Sequence, residues 1–460
     1  MQLEQLKKVY LTGIGGIGVS ALARFFVSRG IEVSGSDAEK TEITESLEKA
    51  GIKINYNQKA ENIEQNVDLL VYSAAVPEEN PERVRAKKLN IEQKSYFEAL
   101  AEVTREFNLV AVCGTHGKST TTAMIAKILI DAGKDPNVIV GSQSEGLDVN
   151  FRAGRSDLFV LEACEYRAHM LLLDPSSIIL TNIEEDHLDY YKDLNHIIQT
   201  FQQFINKLKD ESGKMKAIIL NNDDLNIRQL DMPECKKISY GLAPGADLCA
   251  ERIRKELGKQ IFNVKFGEQD LGEFELGIPG DFNIYNALAA AAYALSLDIP
   301  VGQIKESLKN FKGIWRRFEI IYDDKFTLVS DYAHHPTAIQ ATLKAAKEFY
   351  LGRRIVCVFQ PHQHDRTQKL FDQFVKSFDD VDILIMPEIY DVKGRNQNSN
   401  ISSKDLVDKI SGKEAYYAAD LDQTVEKVSQ IVKENDVVIV MGAGDVYDVI
   451  SNIKDQISNI

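Results

Sequence analysis

The sequence lacks long apolar runs and an excess of positive charge, and each absence excludes a class of protein. No apolar run approaches the roughly 18–20 residues that a membrane-spanning helix needs. The formal net charge of −15 argues against a protein that coats nucleic acid or an anionic membrane. An anionic ligand can bind such a chain only where arginines, lysines and helix N-termini gather. We therefore expect a globular protein with neither nucleic acid nor a membrane as its partner.

Cysteine is scarce as well, and the positions of the few cysteines predict reduced thiols. The five of them, at 113, 164, 235, 249 and 357, are odd in number and show no C-x-x-C spacing. That pattern argues against disulfides and against a zinc site. Cys113 and Cys357 lie in apolar runs, where we expect buried thiols. Because the first eight residues also lack the apolar core of a secretory signal, we expect a cytoplasmic protein.

The length of 460 residues predicts about three domains. Apolar segments of strand length alternate with helical patterns along most of the chain, which indicates an α/β fold with parallel sheets. We place a Rossmann-like domain at 1–106, a central P-loop ATPase-like domain at 107–313 and a second Rossmann-like domain at 314–460. Within these domains we expect a β-rich excursion from Lys259 to Glu275 and a helix over Gln368–Ser377.

A glycine pattern follows the apolar strand Val9–Thr12 near the N-terminus. Gly13, Gly15 and Gly18 fit G-x-G-x-x-G, and Asp37 lies near the distance at which an acid would meet a ribose. The pattern favours a bound nucleotide but does not say which one. Alone it would suggest NAD.

A second glycine loop, Gly114–Ser119, carries the strongest chemical signal. It follows the apolar run Leu109–Val112 and precedes a helical pattern. A strand, glycine loop and helix in this order turn backbone N–H groups and a helix N-terminus toward phosphate. Lys118 would reach the β- and γ-phosphates, and the serine hydroxyl would ligate Mg²⁺. The loop therefore predicts ATP binding, although valine 112 stands where the full G-x-x-x-x-G-K-[ST] motif has its first glycine.

Acidic residues follow two further apolar strands in the central segment. Glu162 ends the run 157–162, and His187 lies in the polar stretch after the run 177–182. Neighbouring strand ends of a parallel sheet lie about 5 Å apart, so both side chains could stand beside Ser119. Carboxylate and hydroxyl oxygens suit Mg²⁺, for which histidine is a less usual ligand. This arrangement predicts a site for one or two magnesium ions.

Four of the eight histidines of the chain follow two strands of the third segment. Their spacing matches no zinc site, so we favour substrate binding there. The stretch Gly442–Asp445 fits either a tight turn or a further substrate-facing loop. Arg316 and Arg317 lie at the boundary of this segment, where a hinge could bring a cation onto phosphate or leave a solvated pair. A polar loop from Asp391 to Asn400 would suit a lid.

Seven motifs, spread in order over nearly the whole chain, match those of one family. They are G-T-H-G-K-S-T-T at 114–121, E-A-C-E-Y at 162–166, T-N-I-E-E-D-H-L-D at 181–189, G-D-F-N-I-Y-N-A at 280–287, R-R-F-E at 316–319, D-Y-A-H-H-P at 331–336 and P-H-Q-H-D-R-T at 361–367. The chain resembles the Mur ligases, the ATP-dependent amide-forming family of peptidoglycan precursor synthesis. Its N-terminal glycine motif and the G-S-D at 35–37 most resemble the branch of the family that adds L-alanine to UDP-N-acetylmuramate.

The resemblance implies an enzyme that uses ATP and Mg²⁺ to join L-alanine to the lactyl carboxylate of UDP-N-acetylmuramate through an acyl phosphate. It implies catalytic roles for Lys118, His334 and Arg366. The ATP-binding residues that it implies are Gly114, Thr115, His116, Gly117, Lys118, Ser119, Thr120, Asn283, Asn286, Arg316 and Asp331. The UDP-sugar-binding residues would be Gly13, Gly15, Gly16, Gly18, Ser36, Asp37 and Ser73. Tyr332, His334, His362 and Arg366 would bind the amino acid, and Ser119, Glu162 and His187 would bind the metal.

Three positions depart from patterns common in the family. Phe282 stands where many relatives have histidine, so adenine contact would depend on the two asparagines that follow. Gln363 stands where many have arginine, which puts one carboxylate contact in doubt. Several relatives carry a modified lysine where this chain has Gln202, as the alanine-adding branch would predict.

Other functions stay open at this point. A sister ligase of the family would add a different amino acid or a tripeptide to the sugar nucleotide. A folylpolyglutamate synthase would share the phosphate loop but lack the first glycine loop. An NAD-dependent oxidoreductase or a non-catalytic nucleotide sensor would belong to a different class. We expect a monomer or a weak homodimer.

Overall fold

The computed structural model describes residues 3–142, 150–188, 190–208, 216–256, 258–391 and 401–457. The chain divides into two compact units. The first unit extends to Cys249 and includes Ala287–Ser307, and the second comprises Ala250–Asn286 and the chain from Leu308 onward. The described residues form an α/β fold with three sheets, as the sequence predicts. The predicted domain boundaries, 106/107 and 313/314, stay a prediction, and most of the predicted lid loop lies outside the described residues.

The first sheet is parallel and has the strand order β3-β2-β1-β4-β5. Its elements, in chain order, are β1 (Lys8–Thr12), α1 (Ile17–Ser28), β2 (Glu32–Ser36), α2 (Glu42–Lys49), β3 (Lys53–Asn55), β4 (Leu69–Tyr72), α3 (Pro81–Lys88), β5 (Glu92–Ser95) and α4 (Tyr96–Thr104). The strand order reverses between β1 and β4. Ligands of open α/β sheets bind at such a reversal, outside the carboxyl ends of the strands. The first glycine loop leaves β1 at this place.

The second sheet begins with a strand that is buried over most of its length. Its elements are β6 (Asn108–Cys113), α5 (Lys118–Asp131), β7 (Asn137–Ile139), β8 (Phe151–Arg152), β9 (Leu158–Glu162), β10 (Ser177–Leu180), α6 (Leu194–Ile205), β11 (Ala217–Asn221), β12 (Lys236–Gly241) and β13 (Leu248–Glu256). Strand β6 is parallel to both of its neighbours, β9 and β10. The chain moves to one side of β6 and later to the other, so the loops after β6, β9 and β10 meet at one edge.

The predicted β-rich excursion is confirmed as an antiparallel hairpin of β14 (Lys259–Phe266) and β15 (Gln269–Leu276). Two helices follow it, α7 (Asp281–Ser296) and α8 (Val301–Lys309). The sequence reasoning missed β13, because only Leu248 and Ala250 of this strand are buried and the rest of it is rich in charged residues.

The third sheet has the order β16-β17-β21-β18-β19-β20 and is parallel except for its edge strand β16. Its elements are β16 (Glu319–Asp323), β17 (Thr327–Asp331), α9 (Pro336–Phe349), β18 (Ile355–Phe359), α10 (His364–Lys369), α11 (Phe371–Val375), β19 (Ile383–Pro387), α12 (Ser403–Lys409), β20 (Glu414–Ala418), α13 (Leu421–Ile431), β21 (Val437–Met441) and α14 (Val449–Ile457). The predicted single helix over Gln368–Ser377 is wrong. Leu370 leaves the helical region at φ −108°, and two short helices result.

The inner strands β4, β10, β17, β18, β19 and β21 are buried along almost their whole length, which is typical of parallel strands covered on both faces. In β6, Leu109, Ala111 and Cys113 belong to the apolar core that the first unit builds around this sheet. Cys113 and Cys357 are fully buried, which confirms the prediction that these two thiols lie in the core. Among the described residues, no helix is both long and apolar enough to cross a membrane.

Candidate active site

The loop between β6 and α5 has the geometry of a phosphate cradle. Gly114 has φ +137°, and a Cβ atom there would lie 2.0 Å from Thr181 Oγ1, so a side chain cannot be accommodated. Gly117 has φ +80° and caps the N-terminus of α5 in the left-handed region, where glycine carries little cost. Asn182 fixes the loop from β10, because its carbonyl accepts from Thr115 N at 3.0 Å and its side chain accepts from His116 N at 2.8 Å.

Lys118 points back over this loop toward a buried glutamate. Its Nζ donates to the carbonyls of Gly114 and Thr115 at 2.7 and 2.9 Å and lies 3.0 Å from Glu165 Oε2. Burial opposes the charge of the lysine, but the carboxylates of Glu165 and Glu162 outweigh that effect and raise its pKa. The pKa of Glu165 is lowered, because Lys118 outweighs the opposing effect of burial. Both groups are therefore charged at neutral pH.

Ser119 and Glu162, two of the predicted metal ligands, lie in direct contact. The serine hydroxyl donates to Glu162 Oε2 at 2.8 Å, and Gly141 N donates to the same oxygen at 2.8 Å. Thr120, the next predicted ATP-binding residue, is buried in the first turn of α5. A hydroxyl and a carboxylate oxygen side by side, at the edge of a phosphate loop, are donors that Mg²⁺ accepts.

His187 lies near this pair and has a positive φ of 53°, which is uncommon for a residue with a side chain. Its Nε2 lies 3.3 Å from Glu165 Oε1. Glu165 therefore joins Lys118 to His187 and brings the predicted metal-binding histidine to the phosphate loop. The sequence reasoning did not place Glu165 in the site. The sequence feature that could have indicated Glu165 is its place as the second acid of the E-A-C-E motif at the end of β9.

The glycine loop after β1 is engaged by an acid from the neighbouring strand. Gly15 N donates to Asp37 Oδ2 at 2.7 Å, while Gly13 N donates to the carbonyl of Ser36 at 2.8 Å. Gly16 caps the N-terminus of α1. Ser73 follows β4 and lies against Gly13, where an added Cβ would approach within 2.8 Å of the serine Cβ. The structure thus brings together the predicted UDP-sugar residues of β1, β2 and β4.

A cavity of about 370 Å³ in the first unit extends from the first glycine loop to the end of β9. Its lining includes Gly16, Gly18 and Ser73 from the predicted UDP-sugar site and Glu162 from the predicted metal site. The aromatic wall of this cavity includes Phe97, whose ring stacks on His169 at 3.6 Å between centroids. Burial lowers the pKa of His169 to about 4, so the imidazole is neutral at pH 7.

The remaining predicted residues belong to the second unit. Asn283 and Asn286 are buried on α7, where Asn286 donates to the side-chain oxygen of Asn283 at 3.0 Å and Asn283 donates to Pro279 O at 2.7 Å. This chain of hydrogen bonds fixes the orientation of the two amides. Their contact with adenine stays a prediction.

Arg316 is the buried cation of the second unit. Its Nη2 donates to the carbonyl of Gly442 at 2.5 Å, and the Tyr447 ring centroid lies 4.9 Å from its Cζ. The backbone adopts a positive φ of 55° there. Burial lowers the pKa of this guanidinium, which nevertheless stays charged at neutral pH. Its Nε is buried and has no hydrogen-bond partner among the residues that the structure describes.

Asp331, at the end of β17, holds the segment after Arg316 in place. Phe318 N donates to Oδ2 and Ala333 N to Oδ1, both at 2.7 Å, and the residue is buried. Burial raises the pKa of Asp331 against these hydrogen bonds. Since both carboxylate oxygens accept backbone N–H groups, the structure gives this residue a role in shaping the loops.

The two histidine motifs of the second unit converge. His334 Nδ1 lies 2.9 Å from the carbonyl of Tyr332, and the ring centroids of His334 and His362 lie 6.0 Å apart. His362 stacks on Tyr390 at 5.5 Å. Arg366 lies on the adjoining short helix α10. The structure therefore brings the predicted amino-acid residues to one edge of the third sheet.

Two glutamines connect separate parts of the chain through side-chain hydrogen bonds. Gln360 Nε2 donates to Asp445 Oδ1 at 2.8 Å, and Val446 N donates to Gln360 Oε1 at 3.1 Å, so this residue ties the end of β18 to the loop after β21. Sequence reasoning missed it. Gln202 instead exchanges hydrogen bonds with the backbone of Asp231, at 2.8 and 2.9 Å.

Family models match three successive stretches of the chain. They are described as the Mur ligase family, catalytic domain (residues 8–108), the Mur ligase middle domain (residues 112–294) and the Mur ligase, glutamate ligase domain (residues 316–444). The chain is 39% identical to the UDP-N-acetylmuramate–L-alanine ligase of Persephonella marina, over 99% of this chain and 97% of that protein. Identity to the ligase of the same name from Clostridium kluyveri is 41%, over 96% and 97% of the two chains.

Solved structures show the same three-domain architecture. The crystal structure of the UDP-N-acetylmuramate–alanine ligase of Thermotoga maritima matches with a TM-score of 0.82 and 29% identity, over 98% of this chain and 99% of that one. A murein peptide ligase from Psychrobacter arcticus matches with a TM-score of 0.72 at 24% identity, which shows the fold alone. Since the sequence matches span almost the whole chain, the chain belongs to the Mur ligase family.

Proposed function

We propose that this protein is the ligase that joins L-alanine to the lactyl carboxylate of UDP-N-acetylmuramate at the expense of ATP, in peptidoglycan precursor synthesis. The observation that carries the proposal is the cavity of the first unit, whose lining includes Gly16, Gly18 and Ser73 together with Glu162. A substrate with its diphosphate on the first glycine loop and its carboxylate at the phosphate loop would have to pass such a cavity. Relatives about 40% identical over nearly the whole chain carry this activity in their names.

The chemistry of the first step follows from the charge that the site offers. A carboxylate is a poor acyl donor, and its attack on the γ-phosphate of ATP forms an acyl phosphate and releases ADP. Lys118 and the N-terminus of α5 would stabilise the charge that spreads over the transferred phosphoryl oxygens. For this, Lys118 exchanges Glu165 for phosphate, and the short distances at its Nζ show that it is already directed over the loop.

Mg²⁺ fits the donors that Ser119 and Glu162 offer, since both are oxygen ligands and lie 2.8 Å apart. When bound, the ion would neutralise phosphate charge. His187 is a softer donor whose Nε2 is directed at Glu165, and its place as a metal ligand stays a prediction.

In the second step the amine of L-alanine attacks the acyl carbon of the acyl phosphate. The amide bond forms, and the bond to the phosphate oxygen breaks with release of phosphate. We assign the amino-acid pocket to Tyr332, His334, His362 and Arg366, with Arg366 as the partner of the alanine carboxylate. A carbonyl can only accept, so the contact with Tyr332 O indicates that His334 carries its proton on Nδ1. Its Nε2 would then take the proton of the attacking amine. Arg316, Asp331 and the two α7 asparagines stay predicted ATP-binding residues.

Phosphate release from ATP, with each acceptor left out in turn, tests the proposed function. We expect release only when UDP-N-acetylmuramate and L-alanine are both present, and an amide product in equal amount by mass spectrometry. Phosphate release in the absence of UDP-N-acetylmuramate, or in the absence of L-alanine, would contradict the proposal. Turnover with a tripeptide but not with free L-alanine would identify a sister ligase. Enhanced fluorescence of reduced nicotinamide on titration would instead support an oxidoreductase, for which the family matches offer no support.

A further inference from the structure

Glu82 is fully buried near the N-terminus of α3 and takes no part in the proposed reaction. A buried carboxylate is costly unless hydrogen bonds satisfy it. Four donors do so here, and all are uncharged. Tyr10 Oη and Asn62 Nδ2 donate to Oε1 at 2.8 and 2.7 Å, and Thr12 Oγ1 and Ser36 Oγ donate to Oε2 at 2.7 and 2.6 Å.

The position of Glu82 in its helix adds a further favourable interaction to these hydrogen bonds. It is the second residue of α3, after Pro81, and Asn80 Oδ1 accepts from its backbone N at 2.9 Å. The N-terminal turn of a helix carries a partial positive charge that favours a carboxylate. The helix cap and the four donors therefore hold Glu82 from both its backbone and its side chain.

The two donors to Oε2 are the residues from which the sugar-nucleotide loop departs. Thr12 is the last residue of β1, immediately before Gly13, and Ser36 is the last residue of β2, immediately before Asp37. The carbonyl of Ser36 accepts from Gly13 N at 2.8 Å, and Asp37 accepts from Gly15 N. One carboxylate oxygen thus holds together the two strand ends that set the distance between the glycine loop and Asp37.

We propose that Glu82 is a positioning residue for sugar-nucleotide binding, which acts by fixing the carboxyl ends of β1 and β2 beneath the glycine loop through Thr12 and Ser36. The inference rests on the proposed function, because it takes the loop to hold the diphosphate of UDP-N-acetylmuramate. A backbone cradle binds phosphate through N–H groups at fixed spacing, so a shift of either strand end weakens binding without touching the ligand.

Glu82→Gln tests this role selectively. The Asn62 amide can only donate to this carboxylate, so the oxygen of the glutamine must face Asn62 and its NH₂ must face Thr12 and Ser36. The substitution therefore disturbs the strand-end side. We expect Kd and KM for UDP-N-acetylmuramate to rise about 10-fold or more, as the loss of hydrogen bonds to a charged group predicts. The KM values for ATP and L-alanine and the kcat at saturation should stay within about twofold.

Tyr10→Phe is the matched control. It removes a donor to Oε1 of the same carboxylate and leaves the contacts with Thr12 and Ser36 in place. We expect a lower melting temperature with unchanged KM for the sugar nucleotide. Thr12→Val, with Ser36→Ala as the second strand-end variant, provides the test if Glu82→Gln fails to fold, and each should raise that KM.

Two results would overturn the positioning role. One is a rise in KM from Tyr10→Phe as large as that from Glu82→Gln, which would make the carboxylate a stabilising group only. The other is an unchanged KM in Glu82→Gln and in both strand-end variants. Failure of the proposed function is distinct, since the wild-type protein would then release phosphate without UDP-N-acetylmuramate or fail to bind it in calorimetry.

Discussion

The two glycine loops of the first unit leave equivalent strands, but the buried carboxylates beside them are stabilised in different ways. At the phosphate loop, Glu165 is paired with a cation, Lys118, at 3.0 Å. At the first glycine loop, Glu82 is held by four uncharged donors and a helix N-terminus. Both residues are buried to within a few per cent of full coverage. The two carboxylates therefore differ in whether their partner is a cation that a bound phosphate could attract.

In the proposed reaction, a phosphate group would compete for Lys118, and the ion pair of Glu165 would be exchanged when ATP binds. The four donors to Glu82 include no cation for a phosphate group to compete for. On the proposed function, the first loop of the chain is therefore preorganised by its scaffold, whereas the second exchanges an ion pair for its ligand.

Lys118→Ala should have the largest effect, because it removes both the phosphate ligand and the partner of Glu165. We expect turnover to fall by about 100- to 1000-fold or more, as for other groups that stabilise transition-state charge. Phosphate release measured well below the melting temperature checks this. Binding of UDP-N-acetylmuramate by calorimetry should stay intact. Loss of that binding would contradict a separate sugar-nucleotide loop.

Alanine scanning of the glycines should separate the two loops next. A Cβ at Gly114 would lie 2.0 Å from Thr181 Oγ1, whereas at Gly16 the nearest atom lies 3.5 Å away. Gly114→Ala should therefore displace the phosphate loop, lower the melting temperature and abolish nucleotide binding.

The same change at Gly16 leaves room for the methyl group, so thermal stability should be retained. If the KM for UDP-N-acetylmuramate rises and the other KM values do not, the loop that contains Gly16 binds this substrate. Equal loss of stability in both variants would remove the distinction between the loops.

Glu165→Gln tests the exchangeable ion pair. Removing one partner of a buried pair destabilises by about 3 kcal/mol, because the other charge stays buried. We expect a lower melting temperature in the ligand-free protein and a larger upward shift on adding a non-hydrolysable ATP analogue than in the wild type. Glu185→Gln is the control, since that carboxylate is exposed in the same region. Equal ligand-induced shifts in Glu165→Gln and the wild type would argue against exchange.

Substitution of His169, which lines the cavity of the first unit, should have the smallest effect, a change in the pH dependence of stability. Burial lowers its folded-state pKa to about 4, below the unfolded value of about 6.5. Between these values the unfolded chain binds more protons, so this contribution to stability is present above pH 6.5 and is lost as the pH falls toward 4. His169→Gln should therefore lose less stability than the wild type between pH 7 and pH 5. Parallel melting curves for the two proteins would contradict this assignment.

Much of the candidate site could be predicted from the sequence because its chemistry lies at the ends of apolar strands. The residues after β6, β9 and β10 were expected to meet at neighbouring strand ends, and the structure places Ser119 in contact with Glu162 and His187 in contact with Glu165. Glu165 and Glu82 were not predicted as functional, because their partners are distant in sequence. Lys118 is 47 residues from Glu165, and Tyr10 is 72 residues from Glu82.

Local physical chemistry therefore determined the α/β elements, the two glycine loops and the residue types around them. Apolar runs specify strands, and glycine is favoured where φ is positive, as at Gly114 and Gly117. Tertiary structure alone decided which carboxylate faces a cation and which faces hydroxyl groups. That choice depends on the strand order β3-β2-β1-β4-β5 and on the two neighbours of β6, which bring residues from separate strands within hydrogen-bond distance. A hydrogen bond acts over about 3 Å, and only the folded chain sets distances on that scale.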